Sequence, residues 1–401
     1  MLASALLAST LLVGTALMGV DRADAGGMGP LLLQSGANVS VVRPDENSAV
    51  TFTANNAMSS FDGSFVGSAS AVGQGTDGVK TLLQVRDPWT AALVWKHEVA
   101  GEWRIEAISA NGAQVVLGDP SISPDAAAVP KGRAVTRLML VGDGVGLKEF
   151  ILPGNFVAEA FMAQSGGIAL IEHLPPMNPQ RYRVRPLVFF GGDQALLKPL
   201  GGIKAGLKQT VQRPEEMEGQ RLNQSWNGTG DSLYTLYDAA GYGDNSEGVF
   251  VHALDLKTGE ARCLDVPSDI AAGTGKGKVV YLDGEQVVVV GRKGIVRMNA
   301  RTGQVEQKIR VQTKAVGALF AQADALYLSD GKLLLRYQVS TLKRLSSTAF
   351  KSPIVAGTID DQMPPIVLDE AGSIWYSVPS PILRGKFTER LLRDATVVVR
   401  Y

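Results

Sequence analysis

A strand–turn–strand phrase recurs along this chain. It reads VHALDLKTGEARCLDV at 251–266, IVRMNARTGQVEQKIRV at 295–311 and LLRYQVSTLKRLSS at 334–347, with a fainter copy, LLQVRDPWTAALVWKHEV, at 82–99. Each copy is an apolar-alternating run, a tight turn and a second alternating run, the pattern of a β-hairpin. In three copies the turn is Asp/Asn-x-x-Thr: Asp87 with Thr90, Asp255 with Thr258 and Asn299 with Thr302; the fourth, Gln338 with Thr341, keeps only the Thr. Recurrence at roughly 40–45 residues marks radial repetition of a four-stranded sheet, the blade of a β-propeller, because one such sheet cannot bury its own apolar faces. The fold class expected is therefore all-β. Grouping the runs in fours places blades near 48–99, 102–153, 155–200, 218–267, 276–311, 314–348 and 352–392, seven in all, with six or eight as the alternatives.

Composition fits this reading. Charged residues make up 19% and glycine is abundant, with 45 residues, as many tight turns require. No stretch of any length shows a helical period. Lys+Arg and Asp+Glu balance at 39 each, which argues against nucleic acid as a partner. The single cysteine, Cys263, has no internal disulfide partner and reads as a small buried hydrophobe in the run ARCLDV.

The first twenty residues carry no charge, and Ala23-Asp24-Ala25 follows as an A-x-A cleavage pattern. This reads as a secretory signal peptide over 1–25, or an uncleaved anchor, since no Lys or Arg precedes the apolar run. Residues 26–47 read as a linker and a first strand, and 48–401 as a single propeller domain. The location expected is extracytoplasmic: secreted, periplasmic or cell-wall associated. The strongly β run 395–401, or the early run 38–42, is expected to close the ring by pairing with strands from the other terminus.

Three stretches break the blade rhythm: PSISPDAAAVPKGRA at 120–134, LPPMNPQ at 174–180, and GGIKAGLKQTVQRPEEME at 201–218, the last with room for a short helical turn. Inserted loops are where such platforms carry binding chemistry.

The segment RLNQSWNGTGDSLYTLYDAAGYGDNSEGVFVHALDLKTGEARCLDVP at 221–267 resembles extracytoplasmic WD40-like and YVTN-type propellers of bacteria, actinobacterial ones in particular. That resemblance implies an exported propeller without an assigned activity, and it supplies no catalytic residue. The phrase DPWTAALVW at 87–95 is similar to the docking motif of quinoprotein propellers, with Ala91 in place of the glycine. In that family the cofactor commonly sits on an adjacent-cysteine disulfide, which one cysteine cannot form.

Candidate chemistry is sparse. His97, His173 and His252 lie in three different blades, without the local spacing of metal ligands. Glu172 points to the opposite face of its strand from His173. GTGKGK at 273–278 runs into VVYL, a strand, where a phosphate loop would enter a helix. Asp238, Asp244, Asn245 and Glu247 gather hard oxygen ligands in a glycine-rich loop and form the one candidate Ca²⁺ site. Asn-x-Ser/Thr triplets occur at Asn38, Asn223 and Asn227. Trp95, Trp103, Trp226 and Trp375 read as inter-blade packing. No catalytic or cofactor-binding residue emerges. The function expected is a non-catalytic module binding a protein or envelope partner, peripheral to the membrane or anchored at its N-terminus. The alternative is a propeller enzyme, lactonase- or quinoprotein-like, with its site at the central tunnel.

Overall fold

Four consecutive valines, Val287 to Val290, are all buried in one strand, Gln286–Gly291. A strand can bury both faces only if its sheet is covered on both sides. Val287 and Val289 pack with residues 234–266 of the preceding sheet, while Val288 and Val290 pack with residues 316–342 of the following one. The same two-sided packing links each pair of successive sheets from residue 58 to residue 367.

A computed structural model describes residues 31–399, apart from short connecting stretches of which the longest are 120–132, 175–180, 205–209, 240–247, 272–276 and 378–386. The expected signal segment 1–25 lies outside the described residues. Among the described residues seven sheets follow one another along the chain, at 56–100, 104–153, 155–197, 220–265, 278–310, 316–349 and 354–391, numbered one to seven below. An eighth, the closing sheet, joins the two ends. Six of the eight are four-stranded; sheets three and four gain extra strands.

The eighth sheet corrects the expected count of seven. Leu31–Ser35, Asn38–Arg43 and Ser48–Thr53 form three of its strands, and Thr396–Val399 is the fourth. Leu32 pairs with Val399, Leu33 with Val397 and Gln34 with Thr396. The described residues of the stretch that reads as a linker and first strand thus already belong to a sheet, and the C-terminal run closes it, as expected of the run 395–401. Its edge strand touches Asn56–Ser59 of sheet one, which continues the ring.

The stretch 201–218 forms no helix among its described residues. Gly202–Lys204 adds in parallel to Ala261–Asp265, the outermost strand of sheet four, and Glu216–Glu218 pairs with Arg181, Tyr182 and Arg183 of sheet three. The chain crossing between these sheets therefore extends both of their edges.

The repeated turn is one structure used four times. Asp87, Asp255 and Asn299 each accept the N–H of the Thr three residues on, at 2.8–3.0 Å. That Thr hydroxyl accepts the N–H two residues further on, at 3.2–3.3 Å, in all four copies. The residue after each Thr takes positive φ: Ala91 (58°), Gly259 (74°), Gly303 (72°) and Leu342 (49°). These side chains cap their own backbone, so the phrase is structural in all four copies.

Candidate functional site

In an antiparallel four-stranded sheet, the connection between the second and third strands and the exit to the next sheet lie at one end; the third-to-fourth turn lies at the other. The four repeated turns are of the latter kind. The strands flanking 120–132, 175–180, 198–215 and 240–247 end at the opposite face, in sheets two, three and four. All three rhythm-breaking stretches and the acidic loop therefore leave from one face, over three consecutive sheets.

The polar side chains that gather along the innermost strands are not those singled out by sequence. The innermost strands of sheets two and three each carry a glutamate at a register shift: Glu106 between Ile105 and Ala107, and Glu159 between Ala158 and Ala160. A β-bulge re-aims its side chain out of the pleat, and both carboxylates turn into the seam toward the next sheet. Glu106 accepts Arg104 Nη2 at 2.9 Å and the Ala158 N–H at 2.8 Å. Gly118 opposite leaves the room: a Cβ there would meet Glu106 Oε1 at 2.0 Å. Glu159 accepts Arg221 Nη1 at 3.1 Å, Arg221 Nη2 at 2.5 Å and Gln224 Nε2. Between sheets four and five the same task falls to amide and hydroxyl groups. Asn223 donates to Val279 O at 3.0 Å and accepts Val279 N–H at 2.8 Å, and Ser225 accepts Tyr281 N–H at 2.9 Å. An innermost strand has one edge without a ladder partner, and its backbone groups must be satisfied elsewhere. Polar side chains of the preceding sheet do this at the seams of sheets two–three and four–five, while at the seam of sheets three and four Glu159 holds the side chains of Arg221 and Gln224.

Around Glu159 and Arg221 lies an aromatic layer. The His173 ring meets Tyr182 edge-on at 5.0 Å, Tyr182 lies 5.8 Å from Tyr237, and Tyr237 stacks on Phe250 at 5.3 Å and meets His252 at 6.4 Å. Burial pushes the His252 pKa down to about 4, with the Glu159 charge opposing. Burial also brings His173 to about 4, helped by the Arg221 and Arg133 cations and opposed by Glu159. Burial raises the Tyr237 pKa, with Arg221 opposing. The Arg221 guanidinium is raised: burial works against it, and the Glu159 and Tyr237 charges outweigh that. Both histidines are thus neutral near pH 7.

Of the sequence candidates, His252 and Cys263 sit in this aromatic layer, buried in sheet four. His97 lies on the outermost strand of sheet one, far along the chain from the other two. His173 Nδ1 is buried with no hydrogen-bond partner. Glu172 turns away from His173 and takes Arg183 at 2.8 Å and Arg185 at 3.0 Å. For the Ca²⁺ loop, Asp238 is buried and ends the strand Ser232–Asp238, while Asp244, Asn245 and Glu247 lie outside the described residues. Among the described residues no three His, Cys, Asp or Glu side chains are placed to hold a metal. Lys278–Leu282, which follows GTGKG, is a strand, where a phosphate loop would enter a helix. Trp95 and Trp103 are buried between sheets one and two, and Trp95 Nε1 donates to Gly112 O at 2.7 Å; Trp103 precedes its strand rather than lying in it. Trp226 packs against the sheet three–four core.

No protein-family model matches the chain, and no curated protein matches it by sequence. Solved structures do match by shape. Dihydro-heme d1 dehydrogenase NirN, in complex with DHE, matches with a TM-score of 0.53 and 13% identity over 94% of this chain and 76% of that one. This chain is a β-propeller. BamB from Moraxella catarrhalis matches at TM-score 0.48 and 14% identity, over 88% of this chain and 92% of BamB. The computationally designed Ika8 protein matches at 0.46 and 13%, over 90% and 98%. At these identities the likeness concerns the fold.

Proposed function

We propose that this propeller is a non-catalytic, eight-bladed platform outside the cytoplasm that binds a protein partner at the cell envelope. Export rests on the uncharged apolar run 1–20 and the A-x-A pattern behind it. The blade count rests on eight sheets in ring order with the termini sharing one.

The observation that carries the binding reading is on sheet two. Met139 and Val141 are buried against sheet one, and the same face continues outward through Val135, Leu147 and Ile151, which are 51%, 49% and 68% exposed. Arg137 and Glu149 pair at 2.7 Å among them. The outer strands of sheets one, five and six also expose apolar side chains, Leu93 and Val94, Val305 and Leu345, the last two each beside polar neighbours, Glu306 and Arg344. Three apolar side chains around a central ion pair, with Ile151 the most exposed of the chain's described large hydrophobics, suit a protein surface. The glutamates of the innermost strands are meanwhile engaged by arginine, glutamine and backbone N–H partners, which supports a structural role for them.

Affinity capture from the envelope fraction of the native host tests this. The wild type and Val305→Asp should retain the same protein, and the double variant Leu147→Asp/Ile151→Asp should lose it. Retention by the double variant, or no retained envelope protein for the wild type, would overturn the reading.

A further inference from the structure

The outermost strand of sheet two, Gly146–Pro153, pairs with Val135–Gly142, and no strand follows on its far side among the described residues. The pairing runs unbroken over eight positions, from Val135 opposite Pro153 to Gly142 opposite Gly146. One step outside that ladder, the Gly154 N–H donates to Ala134 O at 2.8 Å. Hydrogen-bonded and open positions alternate along an antiparallel pair. Leu152, Phe150 and Lys148 therefore bond inward, while Leu147, Glu149 and Ile151 turn their backbone N–H and C=O groups outward. All three are exposed, and Pro153, which has no N–H to offer, bounds the edge at one end.

Other outer edges are guarded. The chain itself covers two of them: Gly202–Lys204 lies in parallel along Ala261–Asp265 of sheet four, and Glu216–Glu218 lies against Arg181, Tyr182 and Arg183 of sheet three. In sheets one, five and six a register shift breaks the outer pair, between Val85 and Arg86, Arg297 and Met298, and Arg336 and Tyr337. Such a bulge twists an edge away from a would-be partner. Sheet five adds charge, with Lys308 and Arg310 at outward positions and both drawn to Asp269, at 2.9 and 3.5 Å. The edge of sheet two has no bulge. Its one charged outward residue, Glu149, is paired to Arg137 at 2.7 Å.

We propose that the partner protein adds an extended segment to this edge as a fifth strand, with apolar residues opposite Leu147 and Ile151 and a basic residue opposite Glu149. The class of occupant follows from the edge. A row of outward N–H and C=O groups is satisfied together by another strand, as Gly202–Lys204 does for sheet four. Positions 147, 149 and 151 share one face, and cross-strand neighbours meet on that face, where opposite charges attract. The exposed carboxylate between two apolar side chains thus sets an apolar–x–basic–x–apolar pattern on the segment. A second copy of this chain fits less well: antiparallel self-pairing that lays Leu147 against Ile151 sets Glu149 opposite Glu149. The inference rests on the protein-binding reading for the source of the segment, and adds how that segment is held.

The probe is a synthetic heptapeptide with valine at its second and sixth positions, lysine at the fourth and threonine elsewhere, which reads alike in both directions. Residue-resolved hydrogen exchange of the whole protein is followed with and without it. At about ten times its Kd the peptide should slow the Leu147, Glu149 and Ile151 amides by about tenfold and leave Lys148, Phe150 and Leu152 unchanged. Replacing its lysine by glutamate should weaken binding by about threefold or more. Glu149→Pro removes one outward N–H without touching the inward ladder and should weaken binding by at least about tenfold, whereas Glu149→Thr keeps the N–H and should weaken it less. If the peptide at about 10 mM slows none of the three amides, or if Glu149→Pro binds as tightly as Glu149→Thr, the proposal fails. Should Glu149→Pro not fold, the wild-type exchange decides by itself. Wild-type dimers that Glu149→Pro abolishes would give the edge to a second copy and overturn the proposed occupant. Failure here with envelope capture intact leaves a partner held by side chains alone; no envelope capture with the peptide bound removes the envelope partner and keeps a strand-accepting edge.

Discussion

The pair Glu159–Arg221 offers the sharpest test of what the inner strands are for. The Glu159 side chain is 2% exposed and that of Arg221 17%. Two arginine nitrogens and the Gln224 amide converge on the carboxylate. Removing the carboxylate with Glu159→Ala leaves a guanidinium buried at the seam without its counter-charge and an amide without its acceptor. Loss of one member of a buried pair costs about 3–5 kcal/mol. Glu159→Gln keeps the shape and removes the charge, and about 1.5–3 kcal/mol is expected from the charged hydrogen bonds. Replacing both ends, Glu159→Leu with Arg221→Met, removes the unpaired charge together with its partner and should fall within about 2 kcal/mol of wild type. Urea unfolding of the four proteins gives these values and the coupling energy, provided the slopes agree. The sign discriminates between roles. A carboxylate held for catalysis is often a destabilising element whose removal raises stability; a seam carboxylate lowers it. If Glu159→Gln is neutral or stabilising, or if the double variant loses the sum of the two single losses, the structural assignment of this glutamate is wrong.

Three further outcomes follow from the same geometry. His252 is neutral in the fold with its pKa pushed down to about 4; the unfolded chain takes up its proton near pH ~6.5, so stability holds above that pH and falls toward pH 4, by about 3 kcal/mol in full. His173, held at about 4 as well, contributes a like amount, so urea midpoints between pH 7 and 4.5 should show the fall and His252→Gln should remove about half of it; a level wild-type profile would refute it. Ala91 holds φ of 58° where two sister turns have glycine, so Ala91→Gly should gain about 0.5 kcal/mol, the relief of about 1–2 kcal/mol of left-handed strain less the entropy of a freer unfolded chain, whereas Gly259→Ala should lose about 1 kcal/mol; melting curves that rank these in the opposite order would contradict the turn account. Deleting residues 396–401 removes the strand that closes the ring, and at about 1 kcal/mol per net hydrogen bond it should cost about 2–4 kcal/mol; a truncated protein melting with wild type would break the closure.

The hairpins were legible because their signals are local. An Asp or Asn capping a Thr N–H three residues on, followed by a residue of positive φ, is written within five positions, and six of the seven expected blade spans match sheets of the structure. Closure by the C-terminal run was legible in its β character, but not that residues 31–53 and that run make a sheet of their own, since the paired strands stand some 360 residues apart and no local pattern pairs Leu33 with Val397. Gly202–Lys204 and Glu216–Glu218 are three-residue strands that exist only because a neighbouring edge is present to receive them. Glu106 and Glu159 were passed over inside the runs RIEAI and NFVAEAF. A glutamate in an apolar run was the available signal, but its direction depends on a one-residue register shift that only the paired strand reveals. Leu147 and Ile151 look like any alternating apolar pair. Alternation tells which face a side chain takes, and says nothing of how far from the axis, where neighbouring blades part and leave it bare.

The central claim is that the inner strands spend their charged groups on holding blades together and that the propeller works by binding. Metal and cofactor content of the protein purified from its native host tests this most directly. The account predicts no stoichiometric divalent metal and no tightly held chromophore. One firmly bound divalent ion per chain, retained through chelator dialysis, would contradict it and turn attention to catalysis at the central tunnel.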